Sequence, residues 1–495
     1  MVKTNVIDSA FDVGKFKRKV ARGVFISGIK RILYQLILTS SNIILARILN
    51  PSVFGSFAII SFLILTLGIL SNFGLGTALV QKKETATKQQ LQAIFTVLCI
   101  ASVVFIVLVY FLAPLANILY GGKLNDQSIL WLRLFSVSVI ISQISTISMR
   151  LLERHLEYKK LAIGEIFSVT AIQIITIFFA IKGFGVGSFV LGNLLGGIAS
   201  FFIFYLLSPW PIGFTFRLSE IKSFLPFGLN FQANSLIGAI NGAVVPGFVG
   251  IVSGERAVGL VTWAGGIRSA GLAPFDVIEK IIFPAVSRSQ DDKKLLKMLI
   301  EKMIKISCMF SFPLLALIFA LAPSIVSIIY TSVWMEGLTA LYLSIIQGVF
   351  ILLSAVMIDV LLALGRADSV RNISIFWAVL QWILTVPLVL LWGFNGVVLA
   401  GVIVSATFFI PLVQVRRYVN IDLWHYVVPY LLYSAFMGFV VFIIGKFLVI
   451  DSVWELLSVG SLGAMLYGAI LVIFERKEML QDVTRLREIA MYRKR

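Results

Sequence analysis

The sequence predicts an all-α integral membrane protein of fourteen transmembrane helices, built as two six-helix repeats in parallel orientation plus two C-terminal helices. Three observations carry this. First, 59% of the 495 residues are hydrophobic and only 13% charged, where an average soluble domain is about half apolar and about a quarter charged. Second, the apolar residues come in continuous blocks of about 20, the length a helix needs to cross the hydrocarbon layer. Lipid admits only helices and closed barrels, and barrel strands would alternate polar with apolar residues, which these blocks do not. Third, phrases return after about two hundred residues. FLAPLANILYG at 111–121 is answered by ALAPSIVSIIYT at 320–331, an interval of 209 between Ala113 and Ala322. That is too long for a solenoid period and suits duplication of a whole module.

The spans fall at 24–46, 53–77, 93–116, 129–150, 161–181, 185–207, 225–250, 257–283, 304–322, 338–363, 370–392, 395–414, 425–447 and 453–474. Phe is abundant throughout them, at 40 residues. An even number of spans puts both termini on one side. Of the 42 Lys and Arg, 31 lie on the side of the termini, five on the opposite side and six within spans or at their edges. The positive-inside rule therefore predicts cytoplasmic termini. It also explains the sequence pI near 9.9 as topology, and nucleic acid is excluded as a partner. Trp131, Trp334, Trp392 and Trp454 are expected at outer span ends, and Trp210 and Trp424 at inner ones, as an aromatic belt.

The first 23 residues are polar and basic, and the apolar stretch after them is interrupted by Lys30 and Arg31, so no cleavable signal is expected. Cys99 and Cys308, the two cysteines, both sit in apolar blocks, which speaks against a disulfide framework. No phosphate loop of the GxxxxGK[ST] kind is present, and the two histidines, His155 and His425, lie near cytoplasmic span ends. The chain therefore reads as neither an enzyme nor an ATP-driven machine, and no cofactor or metal is expected.

The repeat extends beyond its opening phrase. Gly183-Phe184 and Gly393-Phe394 lie 210 apart, and Phe54-Gly55 and Val258-Gly259 lie 204 apart. On spans one and seven, Arg31, Gln35, Thr39 and Asn42 correspond to Asn230, Asn234, Gly238 and Asn241, each pair 199 apart. The modules are then an N-lobe at 24–207 and a C-lobe at 225–414, joined by a cytoplasmic linker at 208–224. A basic N-terminal segment at 1–23, spans thirteen and fourteen within 415–474, and a basic tail at 475–495 complete the chain. Six spans per module keep both copies in one orientation, related by an axis along the membrane normal with a central path between them.

The wording LARILNPSVFGSFAI (45–59), FGLGTALVQKKE (73–84), FLAPLANILYG (111–121) and VGLVTWAGGIRSAGLAPF…IIFPAVSRSQDD (258–292) resembles the Wzx-type polysaccharide transporter branch of the multidrug/oligosaccharidyl-lipid/polysaccharide exporter (MOP) superfamily. The resemblance covers the whole chain. It implies that an undecaprenyl-diphosphate-linked oligosaccharide moves from the inner to the outer leaflet of the bacterial cytoplasmic membrane. It further implies that spans one, two, seven and eight line a central cavity, and that a polysaccharide polymerase and glycosyltransferases are partners alongside membrane lipid. A drug or cation antiporter of the same superfamily, a lipid II flippase and a non-transporting scaffold stay open as alternatives.

A lipid-linked sugar brings a diphosphate that needs fixed cations once it leaves headgroup water, and hydroxyls that need amide partners. Arg268 lies 11 residues into span eight, about 16 Å along the helix and too deep to reach the interface. Its repeat counterpart is Ile64, so only one module carries the cation. The alternative is a structural pair with Asp276, two turns on. Arg31, Gln35, Thr39 and Asn42 share one helix face, and Asn230, Asn234 and Asn241 form a similar face on span seven. Both faces suit sugar hydroxyls or, alternatively, interhelical hydrogen bonds. Lys30 is expected to extend to the cytoplasmic interface, Asp276 and Lys280 to pair at i,i+4, and Glu165 and Asp359 to be interfacial or to carry a coupling proton. The 475–495 tail reads as a helix lying on anionic lipid.

Overall fold

In the computed structural model the described residues are 13–72, 75, 79, 87–122, 126–217, 238–239, 242–290, 292–448 and 450–492. Every regular element among them is helical. The first half contains α1 (Val13–Ile48), α2 (Pro51–Asn72), α3 (Lys88–Leu119), α4 (Asp126–Arg154), α5 (Tyr158–Ile181) and α6 (Val186–Leu207). A π-helix at Val244–Val249 leads into α7 (Gly250–Arg288), which is kinked at the non-helical Gly254 (φ 82°) and is followed by α8 (Lys293–Ala320). A second π-helix at Ile325–Ile329 and a 3₁₀ turn at Ser332–Gly337 precede α9 (Leu338–Ala363). Then come α10 (Ala367–Trp392), α11 (Asn395–Ala406), α12 (Phe409–Arg416), α13 (Leu423–Phe447) and α14 (Val453–Tyr492).

Twelve helical stretches of the described residues are long and apolar enough to cross a membrane. They correspond to expected spans two to six and eight to fourteen. Span one is helical within α1 but is not among the twelve, and most of span seven lies outside the described residues.

Helix starts follow their capping chemistry. Thr87 Oγ1 accepts from Gln90 N at 3.2 Å while Gln90 Oε1 accepts from Thr87 N at 3.3 Å, a reciprocal capping box at the head of α3. Asp292 Oδ1 accepts from the backbone N–H groups of Lys294 and Leu295, both at 3.0 Å, and starts α8.

The chain divides into two compact units, Met1–Trp263 with Asn372–Val404, and Ala264–Arg371 with Ser405–Arg495. In the first unit, glycines replace side chains at several close helix crossings. Gly192 and Gly196 on α6 face Thr176 and Ile172 of α5, and Gly164 of α5 faces the Phe204 ring, so an added Cβ would collide at each. Lipid gives no hydrophobic drive between helices, so close backbone approach of this kind holds them together. The same device joins α2 to α7. A Cβ on Gly55 would strike the Glu255 carbonyl, and one on Gly259 would strike the Pro51 carbonyl. Around Phe95, whose ring meets Trp210 edge-on at 5.3 Å, the 208–217 segment is tied to α3, and Thr215 N donates to Thr96 Oγ1 at 2.9 Å.

In the second unit, buried Glu301 of α8 accepts from Asp422 N at 3.3 Å and from the Tyr426 hydroxyl at 3.4 Å. Lys305 of α8 meets Glu475 of α14 at 3.1 Å. These polar contacts fix α8 to α13 and α14 at one end of the apolar packing.

Residues that the expected repeat pairs share physical features. Gly183 and Gly393 both take positive φ, 81° and 59°, in tight interhelical turns, a conformation that Cβ disfavours. Tyr120 and Tyr330, which close the two LAP phrases, are both buried. The interval grows from 209 at Ala113/Ala322 to 210 at Tyr120/Tyr330, and the extra residue falls where the second copy forms its Ile325–Ile329 π-helix. An i→i+5 turn takes up one residue more than an α-turn.

Some expectations are corrected. Trp334 is 0% and Trp210 4% exposed; both are core residues rather than belt residues, because large aromatic rings bury more area than any other side chain when a pocket is offered. Trp392 and Trp454 are exposed as the belt requires. The tail does not turn into a separate surface helix: α14 runs unbroken through 40 residues to Tyr492. Between Ala469 and Tyr492 there is no Gly or Pro to end it.

Candidate functional site

The site is built where α7, α8 and α9 meet in the second unit. The sequence Ala264-Gly265-Gly266-Ile267-Arg268-Ser269-Ala270-Gly271 gives α7 an almost side-chain-free surface around one arginine. Leu315 of α8, 1% exposed, fills the space this leaves. A Cβ on Gly271 would come within 2.7 Å of Leu315 Cδ2, and one on Gly348 of α9 within 3.5 Å of Leu315 Cδ1. Gly348 also receives the arginine, since its Cβ would lie 3.1 Å from Arg268 Cγ and 3.5 Å from Cδ. The missing side chain on α9 thus seats the methylene stem of Arg268 and fixes where its guanidinium must go.

That guanidinium is not paired with Asp276. Arg268 Nη1 donates to Oε1 of Gln347, the residue before its glycine seat. Its Nε is buried with no hydrogen-bond partner, and among the described residues no carboxylate pairs with it. A full positive charge inside a span is therefore answered by one neutral amide. Leaving the Nε–H unsatisfied costs about 1–3 kcal/mol, and the charge itself costs more at this depth, so the arrangement is expensive without an anion. Gly265 lies beside Nη2, its virtual Cβ at 3.8 Å, and nothing lies within 4 Å of a Cβ on Gly266. Nη2, the nitrogen not used by Gln347, thus lies beside a position of α7 that carries no side chain.

The other expected residues are more dispersed. Arg31 and Gln35 are half-buried on α1, Gln35 Nε2 donates to Thr39 Oγ1 at 3.2 Å, and Asn42 is exposed. The bond places Gln35 and Thr39 on one face, as their spacing predicts. Asn230, Asn234 and Asn241 lie outside the described residues. Lys30 forms an ion pair with Glu165 of α5 instead of extending to the interface; a carboxylate within reach outweighs interfacial water for a half-buried ammonium. Asp276 is half-buried and Lys280 exposed on α7. Asp359 of α9 has a buried Oδ2 without a hydrogen-bond partner. Arg133 stacks its guanidinium 4.3 Å from the Tyr110 ring centroid.

Sequence reasoning missed Gln347 and Gly348. The signal was present: Gln347 is the one amide side chain in the stretch 338–358, whose other polar groups are hydroxyls, and polar groups within spans seek partners.

Twelve apolar helical stretches among the described residues, helix crossings seated on glycine and an arginine without a carboxylate partner inside one stretch define a multi-pass helical membrane protein. The fold is that of a solved structure of the lipid II flippase MurJ in its inward closed conformation, with a TM-score of 0.73 over 93% of this chain and 100% of that one, at 16% identity. The chain belongs to the polysaccharide biosynthesis protein family, whose profile matches residues 44–339. It is 22% identical over 316 residues to the teichuronic acid biosynthesis protein TuaB of Bacillus subtilis (strain 168), a match that spans 62% of this chain and 63% of TuaB. It is 23% identical over 361 residues to the lipopolysaccharide biosynthesis protein WzxC of Escherichia coli (strain K12), spanning 71% and 70%.

Proposed function

We propose that this protein is a flippase that carries an undecaprenyl-diphosphate-linked oligosaccharide from the inner to the outer leaflet of the bacterial cytoplasmic membrane by alternating access. The working unit is fourteen spans with both termini cytoplasmic: an N-lobe at 24–207, a C-lobe at 225–414, and two further helices. The observation that carries the reading is Arg268, a half-buried cation with a buried, unpartnered Nε and no carboxylate partner among the described residues. A fixed arginine of this kind offers a diphosphate charge-assisted hydrogen bonds in place of the water it gives up. A drug or cation antiporter would instead need a carboxylate at that depth.

Roles follow from chemistry. Arg268 neutralises the diphosphate during crossing. The Arg31–Gln35–Thr39–Asn42 face and Asn230, Asn234 and Asn241 supply donors and acceptors to sugar hydroxyls, and the isoprenoid stays in lipid. The mutual seating of Gly55 and Gly259 joins the N-terminal parts of α2 and α7, which the charge distribution puts at the outer face. It serves as the outer closure, which separates when the glycan leaves. Asp359 is the carboxylate placed to take a coupling proton. A polymerase and glycosyltransferases act before and after the crossing step.

The test compares Arg268→Ala with Arg268→Ala/Asp276→Ala, measuring membrane abundance and translocation of lipid-linked sugar separately. Normal abundance with no translocation in both variants is expected, together with accumulation of inner-leaflet repeat unit but not of lipid II. Recovery of translocation in the double variant would show that Arg268 only balanced Asp276. Accumulation of lipid II would assign the carrier to peptidoglycan precursor instead.

A further inference from the structure

We infer that Gln347 is a positioning residue that turns the Arg268 guanidinium so that its Nε–Nη2 edge, a two-pronged donor, is presented to the phosphoryl oxygens of a lipid-linked diphosphate. The inference rests on the anion role of Arg268 and adds the residue that gives that role its geometry.

The guanidinium is planar, with five N–H donors in a fixed fork. The Nε–H and one Nη2 hydrogen point the same way along one edge, whereas Nη1 lies on the Cδ side. Gln347 Oε1 takes Nη1, the nitrogen that this edge does not use. Nε keeps no partner although it is buried. Nη2 of that edge lies beside Gly265, 3.8 Å from its virtual Cβ, where no side chain stands against it. The stem is held against Gly348, one residue beyond Gln347. Two consecutive residues of α9 therefore set both ends of the arginine: Gly348 its carbon stem, Gln347 its head.

The choice of a neutral acceptor matters. A carboxylate at position 347 would hold the same nitrogen but cancel the charge, and an apolar residue would leave the head free to rotate. Glutamine alone of these orients the arginine and keeps it cationic. Two parallel N–H···O bonds to one phosphoryl group then form without reorganisation.

The experiment uses the full-length protein in detergent, titrated with farnesyl diphosphate, farnesol and inorganic pyrophosphate, with Gln347→Leu, Gln347→Glu and Arg268→Ala beside the wild type. The wild type is expected to prefer farnesyl diphosphate to farnesol by at least about tenfold, the scale of one charge-assisted hydrogen bond. Gln347→Leu weakens that preference and Gln347→Glu abolishes it, while Gln347→Glu melts at a higher temperature than Gln347→Leu because it gains an ion pair. A merely structural glutamine gives the opposite order, since Glu preserves size and bonding better than Leu; that order, or wild-type preference in both variants, overturns the inference. If Arg268→Ala keeps the preference, the anion role itself fails, a result separable from failure at Gln347. Competition by inorganic pyrophosphate as strong as by farnesyl diphosphate would overturn the assignment to a lipid-linked ligand.

Discussion

Gly55→Ala tests the outer closure directly. A Cβ at this position would lie 2.6 Å from the Glu255 carbonyl carbon and 2.9 Å from Gly259 N, and would overlap the Glu255 oxygen. All three obstacles are backbone atoms, so no side chain can swing aside and the N-terminal parts of α2 and α7 must separate. Overpacking of this sort costs about 1–3 kcal/mol. A contact made only in the outer-closed state places the whole cost on that state, which shifts the balance toward the outer-open state by about 5–150-fold. Ile59, fully buried one turn further along α2, reports the change. With Cys99 and Cys308 replaced, Ile59→Cys should react with an impermeant thiol reagent from outside faster by that factor when Gly55→Ala is added. Gly259→Ala, which meets the Pro51 carbonyl, should act alike, and the two together should be less than additive because they break one contact. Unchanged Ile59→Cys reactivity in both backgrounds, at normal protein abundance, would refute the closure.

Other expectations concern separate parts of the chain. For topology, Gln127→Cys and Glu336→Cys, both exposed, should label from outside intact cells, and Lys88→Cys and Lys294→Cys should not; outside labelling of Lys294→Cys would reverse the orientation. Glu165→Gln should strand the half-buried Lys30 and lower membrane abundance, by roughly 1–3 kcal/mol of stability. Adding Lys30→Gln should restore abundance, and persistent loss of transport in that double variant would indicate a proton-carrying role for Glu165 beyond the pair. Gly348→Ala puts a methyl group 3.1 Å from Arg268 Cγ and should reduce translocation several-fold at unchanged abundance. Full activity in that variant would mean that the stem position is not critical.

The sequence alone determined the class of structure, because membrane insertion is governed by local composition. Twenty apolar residues in a row must cross as a helix, whatever their neighbours. The turns at Gly183 and Gly393 were legible for a similar reason: both take the positive φ that glycine alone adopts readily, and that requirement marks the chain itself. The depth of Arg268 followed from counting along one helix. Its partner did not. Asp276 is near in sequence and carries the opposite charge, yet it lies two turns along the same helix, and the choice fell to Gln347 on α9, 79 residues away. Only packing brought α7 and α9 together, through the absent side chains of Gly271 and Gly348 around Leu315. The tryptophans divide in the same way. Trp334 and Trp454 occupy equivalent places at span ends, but one is enclosed by the 3₁₀ turn at 332–337 and the other faces outward. Which apolar surface meets lipid and which meets protein is a property of the partner helix, and a single chain of letters does not contain the partner's position.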